Sequence, residues 1–93
     1  FDKAIGAVMD FAEQDGETLV IVTADHETGG FSINQGSSMD TIVGTFNSAS
    51  HTADLIPVFA YGPGAELFSG IYENTAINYK IKKLMGLTEE NNR

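Results

Sequence analysis

The chain has 93 residues; Lys and Arg supply 5 of them and Asp and Glu 13, for a formal net charge of −8. So acidic a balance excludes the Lys- and Arg-driven phosphate contacts of nucleic-acid binders and attraction to an anionic membrane. At 42 % hydrophobic residues it is no disordered acidic tail, and no apolar run approaches the roughly 20 residues of a membrane-spanning helix.

Ile5, Val8, Met9 and Ala12 recur at i, i+3, i+4 and i+7, which predicts a helix from Asp2 to Asp15, with Asp2 as N-cap and Gly16 as stop. Thr18 to Thr23 is a continuous apolar, β-branched run, the pattern of a strand buried on both faces. Ala24 to Gly30 reads as a polar loop ending in two glycines. A short strand at Phe31 and Ile33, a loop through Gly36-Ser37-Ser38 and a β-rich stretch from Thr41 to Phe46 follow. Ile56 to Tyr61 is a second strong strand, with Pro57 near its start, where a missing N–H is tolerated, and Gly62-Pro63-Gly64 at its end. A loop then runs through Phe68-Ser69-Gly70. Asn74 caps a last helix with Ile77, Ile81, Leu84 and Met85 on one face. Lys80, Lys82 and Lys83 lie toward its C-terminal end, where they suit the macrodipole, and Gly86 stops it. Residues 88–93 form a polar tail. Helices combined with buried strands indicate an α/β chain. Two helices give too little cover for a sheet buried on both faces, and the start at Phe1 rather than Met agrees with a segment of a longer protein.

The loop Thr23-Ala24-Asp25-His26-Glu27-Thr28-Gly29-Gly30 carries the chemistry. Asp25 and His26 follow the end of a buried strand, the edge at which open α/β sheets bind ligands. A carboxylate oxygen and an imidazole nitrogen form a zinc-compatible pair, while the lack of cysteine rules out thiolate sites. The other histidine, His51, precedes the strand from Ile56. For all three residues to meet at one sheet edge, the two strands must run antiparallel, or a loop must reach back across the sheet. The spacing alone leaves a second reading open, in which Asp25 caps a turn and both histidines are ordinary loop residues. Glu27 is a candidate acceptor that orients His26, or an exposed loop carboxylate. Thr23, Thr28 and Thr52 either hydrogen-bond the ligands or serve turns. Gly29 and Gly30 read as backbone geometry rather than ligand contacts.

The wording of residues 18 to 30, Thr-Leu-Val-Ile-Val-Thr-Ala-Asp-His-Glu-Thr-Gly-Gly, resembles the second metal-binding stretch of bacterial alkaline phosphatases. His51-Thr52, Ile56 to Ala65, Phe68-Ser69-Gly70 and Glu73-Asn74-Thr75 resemble the C-terminal part of the same family, in the same order. The resemblance implies that residues 1–93 are a C-terminal segment of a three-layer α/β/α sandwich with a mixed sheet. It implies hydrolysis of phosphate monoesters with two zinc ions and a magnesium, through a serine nucleophile. Asp25 and His26 would ligate one zinc and His51 the other. It further implies a periplasmic or extracellular location. If the segment folds alone, exposed apolar sheet faces predict pairing with a second copy, a homodimer. The family's serine motif, its phosphate-gripping arginine and the remaining metal ligands are not matched here; the only arginine is Arg93. The 93 residues alone are therefore expected to be inactive. Two alternatives remain: a phosphodiesterase or sulfatase of the same superfamily, and a non-catalytic relative that binds a metal or a partner.

Overall fold

The computed structural model describes residues 1–87, and the polar tail expected at 88–93 lies outside the described residues. The elements are α1 (Asp2–Asp15), β1 (Val20–Val22), β2 (Glu27–Thr28), β3 (Ser32–Ile33), β4 (Gly44–Thr45), β5 (His51–Thr52), β6 (Phe59–Tyr61), a 3-10 helix (Ala65–Phe68) and α2 (Ala76–Leu84). They form two compact units, one of residues 1–23 with the chain from Val58 onward, the other of Ala24–Pro57.

In the first unit, α1 has the expected bounds, but its N-cap is Phe1, whose carbonyl accepts from Ile5 N–H at 3.0 Å. Asp2 lies in the first turn instead, where a carboxylate complements the helix dipole. Gly16 closes the helix in a left-handed conformation, donating to Ala12 O at 2.9 Å. β1 and β6 pair antiparallel, with Val20 opposite Tyr61, Ile21 opposite Ala60 and Val22 opposite Phe59. That is one of the two arrangements under which Asp25, His26 and His51 are expected to meet, the other being a loop that reaches back across the sheet.

Both strands are shorter than the apolar runs that announced them, for local reasons. The Asp15 carboxylate accepts from Glu17 N–H at 3.2 Å and from the Thr18 hydroxyl at 2.8 Å, a side-chain-closed turn that competes with the sheet ladder. At the other strand, Pro57 has no N–H to give. Burial on both faces is not observed either: Val20 is buried, whereas Ile21 and Val22 are half-buried. Helix α1 packs against β1, and Phe59 and Tyr61 of β6 stay exposed.

A 3-10 helix replaces the loop expected after Gly64, with Leu67 N–H donating to Gly64 O at 3.1 Å. Four residues are too few to leave a periodic signal. Its Phe68, with Ala12 and Val20, makes up the buried apolar core. Helix α2 is fastened to this turn by Lys80, whose Nζ donates to Leu67 O at 3.0 Å and sits 4.3 Å from the Tyr72 ring centroid. Thr75, not Asn74, occupies the N-cap position; Asn74 contributes its carbonyl, to Ile77 N–H at 3.2 Å. At the other end, Gly86 N–H donates to Lys83 O at 3.1 Å and Leu87 N–H to Lys82 O at 2.8 Å, a Schellman closure.

In the second unit β2 pairs antiparallel with β5, and β3 with β4. Phe31 and Phe46 pack beside the β3–β4 pair with ring centroids 4.9 Å apart. Gly29 links the two pairs: its N–H donates to Ser50 O and its carbonyl accepts from Asn47 N–H, both at 2.9 Å. Strands β2 and β5 fall in stretches read from sequence as a loop and a strand approach.

Candidate metal centre

The site is built on a ladder of only two residue pairs, that of β2 and β5. Glu27 lies opposite Thr52, and Thr28 opposite His51. Side chains alternate across a strand. His26, Thr28 and His51 therefore share one face of this ribbon, and Glu27 and Thr52 share the other. His26 and His51 are diagonal neighbours on their face, and their rings stack with centroids 3.5 Å apart and planes at 27°. The two histidines of the chain thus meet although 24 residues lie between them.

His26 Nδ1 faces the backbone carbonyl of Glu27 at 3.3 Å and the Thr28 hydroxyl at 3.4 Å. Its other nitrogen, Nε2, lies 3.4 Å from Asp25 Oδ2. Asp25 is 86 % exposed and His26 36 %, so their contact adds little to stability.

The Glu27 carboxylate does not orient His26. It accepts from the Thr52 hydroxyl and, at 2.9 and 3.0 Å through its two oxygens, from Gly30 N–H. The Thr52 hydroxyl holds the Glu27 carboxyl below its ordinary pKa. The N–H groups of Gly30 and Phe31 and the nearby His26 act in the same direction, against partial desolvation.

Thr52 serves the ribbon, and its hydroxyl also accepts from Asp54 N–H at 3.3 Å. Thr23 is exposed and belongs to the first unit. Gly29 and Gly30 are buried at φ 87° and 62°, so both serve backbone geometry as their position suggested. Ser37 and Ser48 are engaged in loop turns, through Val43 N–H at 2.8 Å and Ser50 N–H at 3.0 Å. Among the described residues no three His, Asp or Glu side chains converge as one metal-holding cluster.

The family model for alkaline phosphatase matches residues 1–45 and 38–87. The alkaline phosphatase of Escherichia fergusonii is 32 % identical over 92 % of this chain, and the streptomycin-6-phosphate phosphatase of Streptomyces griseus 33 % identical over 94 %. Among solved structures, the alkaline phosphatase of the Antarctic bacterium TAB5 is 52 % identical over 95 % of the chain, with a TM-score of 0.79. A variant of that enzyme with Mg bound in its M3 site gives 50 % identity over 96 % of the chain and a TM-score of 0.82. The chain spans only 22 % and 23 % of the two sequence relatives and 28 % and 29 % of the two structures.

Proposed function

This chain belongs to the alkaline phosphatase family, and on that premise we propose that it supplies three zinc-binding side chains, Asp25, His26 and His51, to a phosphate monoester hydrolase. The observation that carries the reading is the ribbon face on which His26 and His51 stack, with Asp25 Oδ2 3.4 Å from His26 Nε2. Two donors bound at ~2.0–2.1 Å in a tetrahedral zinc site lie about 3.3–3.4 Å apart. The spacing of Asp25 and His26 suits two corners of one such site. The Glu27 carbonyl at 3.3 Å from His26 Nδ1 favours the proton on that nitrogen and leaves the Nε2 lone pair for a metal. His51, one diagonal step away on the same face, would hold the second zinc.

When bound, two zinc ions would stabilise the attacking and leaving oxygens of an in-line displacement at phosphorus. The residues of this chain do the holding and spacing. The serine nucleophile, the arginine that grips phosphate and the remaining ligands come, in this reading, from the part of the enzyme that the chain does not span. Magnesium fits the same reading, since a solved relative carries Mg in its M3 site. Phosphate monoesters as substrates and a periplasmic or extracellular location are proposed on family grounds, and a homodimer on the exposed apolar side chains of the first unit. No helix among the described residues is long and apolar enough to cross a membrane.

The test is metal content and turnover in the full-length enzyme. Replacing Asp25 and His26 together by Ala is expected to remove about one zinc equivalent per subunit. Hydrolysis of p-nitrophenyl phosphate should fall with it, and His51→Ala should remove a second, separate equivalent. Unchanged zinc content in the double variant refutes the assignment.

A further inference from the structure

We propose that Glu27 and Thr52 form a clamp on the back of the β2–β5 ribbon that fixes the spacing of His26 and His51, so that both act as positioning residues. The inference rests on the metal reading above and assigns a role to two residues that touch no metal in it.

The β2–β5 ribbon has two residue pairs, and a two-stranded ribbon of that length is marginal by itself. Its register nevertheless decides the site, because a slip of one residue would turn His51 to the opposite face from His26. A side-chain contact that reads the register is therefore needed, and the back face carries one. The Thr52 hydroxyl donates to Glu27 Oε1 between residues directly opposite each other in the ladder. Both Glu27 oxygens also accept from Gly30 N–H, which ties the same carboxylate to the turn leaving β2. One side chain thus joins β2, β5 and the glycine turn. A slip by one residue would take Thr52 from opposite Glu27 and break the contact. The imidazole face gains its geometry from a contact that engages none of the imidazole nitrogens.

The experiment uses the full-length enzyme with Thr52→Val, which keeps the shape and removes the hydroxyl, Thr52→Ser, which restores it, Glu27→Ala, and the Glu27→Ala/Thr52→Val double variant. The readouts are zinc release to a chromogenic chelator and the melting temperature of the metal-free protein. Thr52→Val and Glu27→Ala should each speed zinc release by about 10- to 100-fold, the usual effect of losing a group behind a ligand. The double variant should be no worse than the stronger single one, and Thr52→Ser should release zinc at nearly the parent rate. Melting temperatures lowered without faster zinc release would make the pair merely structural and overturn the clamp. So would additive effects in the double variant. The Asp25→Ala/His26→Ala variant separates the two claims. If it loses zinc while the clamp variants keep theirs, only the clamp falls; if it keeps its zinc, the metal reading falls first.

Discussion

Replacing Gly62 by Ala tests whether the end of β6 is seated where the structure places it. Gly62 has φ 111°, which an L side chain rarely adopts, and a Cβ there would collide with the carbonyl oxygen of Thr18. It would also lie 3.1 Å from the Thr18 carbonyl carbon and 3.2 Å from Leu19 Cα. All three atoms are backbone, so no rotamer change relieves the collision. Two costs follow: about 1–3 kcal/mol for the backbone conformation and about 1–3 kcal/mol for overpacking against a rigid neighbour. Gly70 isolates the first cost, because its φ is 98° and nothing lies within 4 Å of its added Cβ. Gly70→Ala should therefore lose about 1–3 kcal/mol, and Gly62→Ala about 1–3 kcal/mol more. The assay is urea unfolding of the metal-free full-length enzyme, metal-free so that ligand binding does not mask the loss. Agreement of the two variants within about 0.5 kcal/mol would refute the close approach of the β6 end to the segment that enters β1.

Two further outcomes are expected. Phe68 is 3 % exposed and the largest member of a core it shares with Ala12 and Val20. Phe68→Ala should cost about 3–5 kcal/mol, read as a fall in the unfolding midpoint at constant m-value, and a loss below about 1 kcal/mol would show that the 3-10 helix does not bury this ring. The isolated 93-residue chain should self-associate, because Phe11, Phe59, Tyr61 and Leu84 are exposed around a minimal core in its first unit. Sedimentation velocity checks this, and a single monomeric species at high micromolar concentration would contradict it.

The parts of the fold legible in the sequence are those that local patterns specify. The 3.6-residue recurrence from Ile5 to Ala12 locates α1 to the residue. The cap lies one residue before Asp2, because Phe1, which has no capping side chain, supplies only a backbone carbonyl. Val20–Val22 and Phe59–Tyr61 sit inside the two apolar runs, and their antiparallel pairing is one of the two arrangements that a meeting of Asp25, His26 and His51 allows. The runs overstate the strands because Asp15 captures Thr18 and Pro57 lacks a donor. Full burial was read from residues that need two covering layers, and α1 supplies one.

Asp25, His26 and His51 stand out in the sequence as candidate ligands because ligation is a matter of chemical type, and because the words around them resemble one family. Their mutual geometry could not. Strands β2 and β5 have two residues each, too few to show a period, and they meet through contacts between residues 25 apart. No local pattern encodes such a pairing; it exists only when the chain between them has folded back. The same holds for Glu27. Its position beside His26 suggested a partner for the imidazole, but strand alternation sends its carboxylate to the other face, toward Thr52 and Gly30. Residue types and short-range periodicity thus determined which groups are candidates for the chemistry and where α1, β1 and β6 lie. The folded chain alone decided which groups touch, because contact across a two-residue ladder depends on register, and register is a property of both strands together.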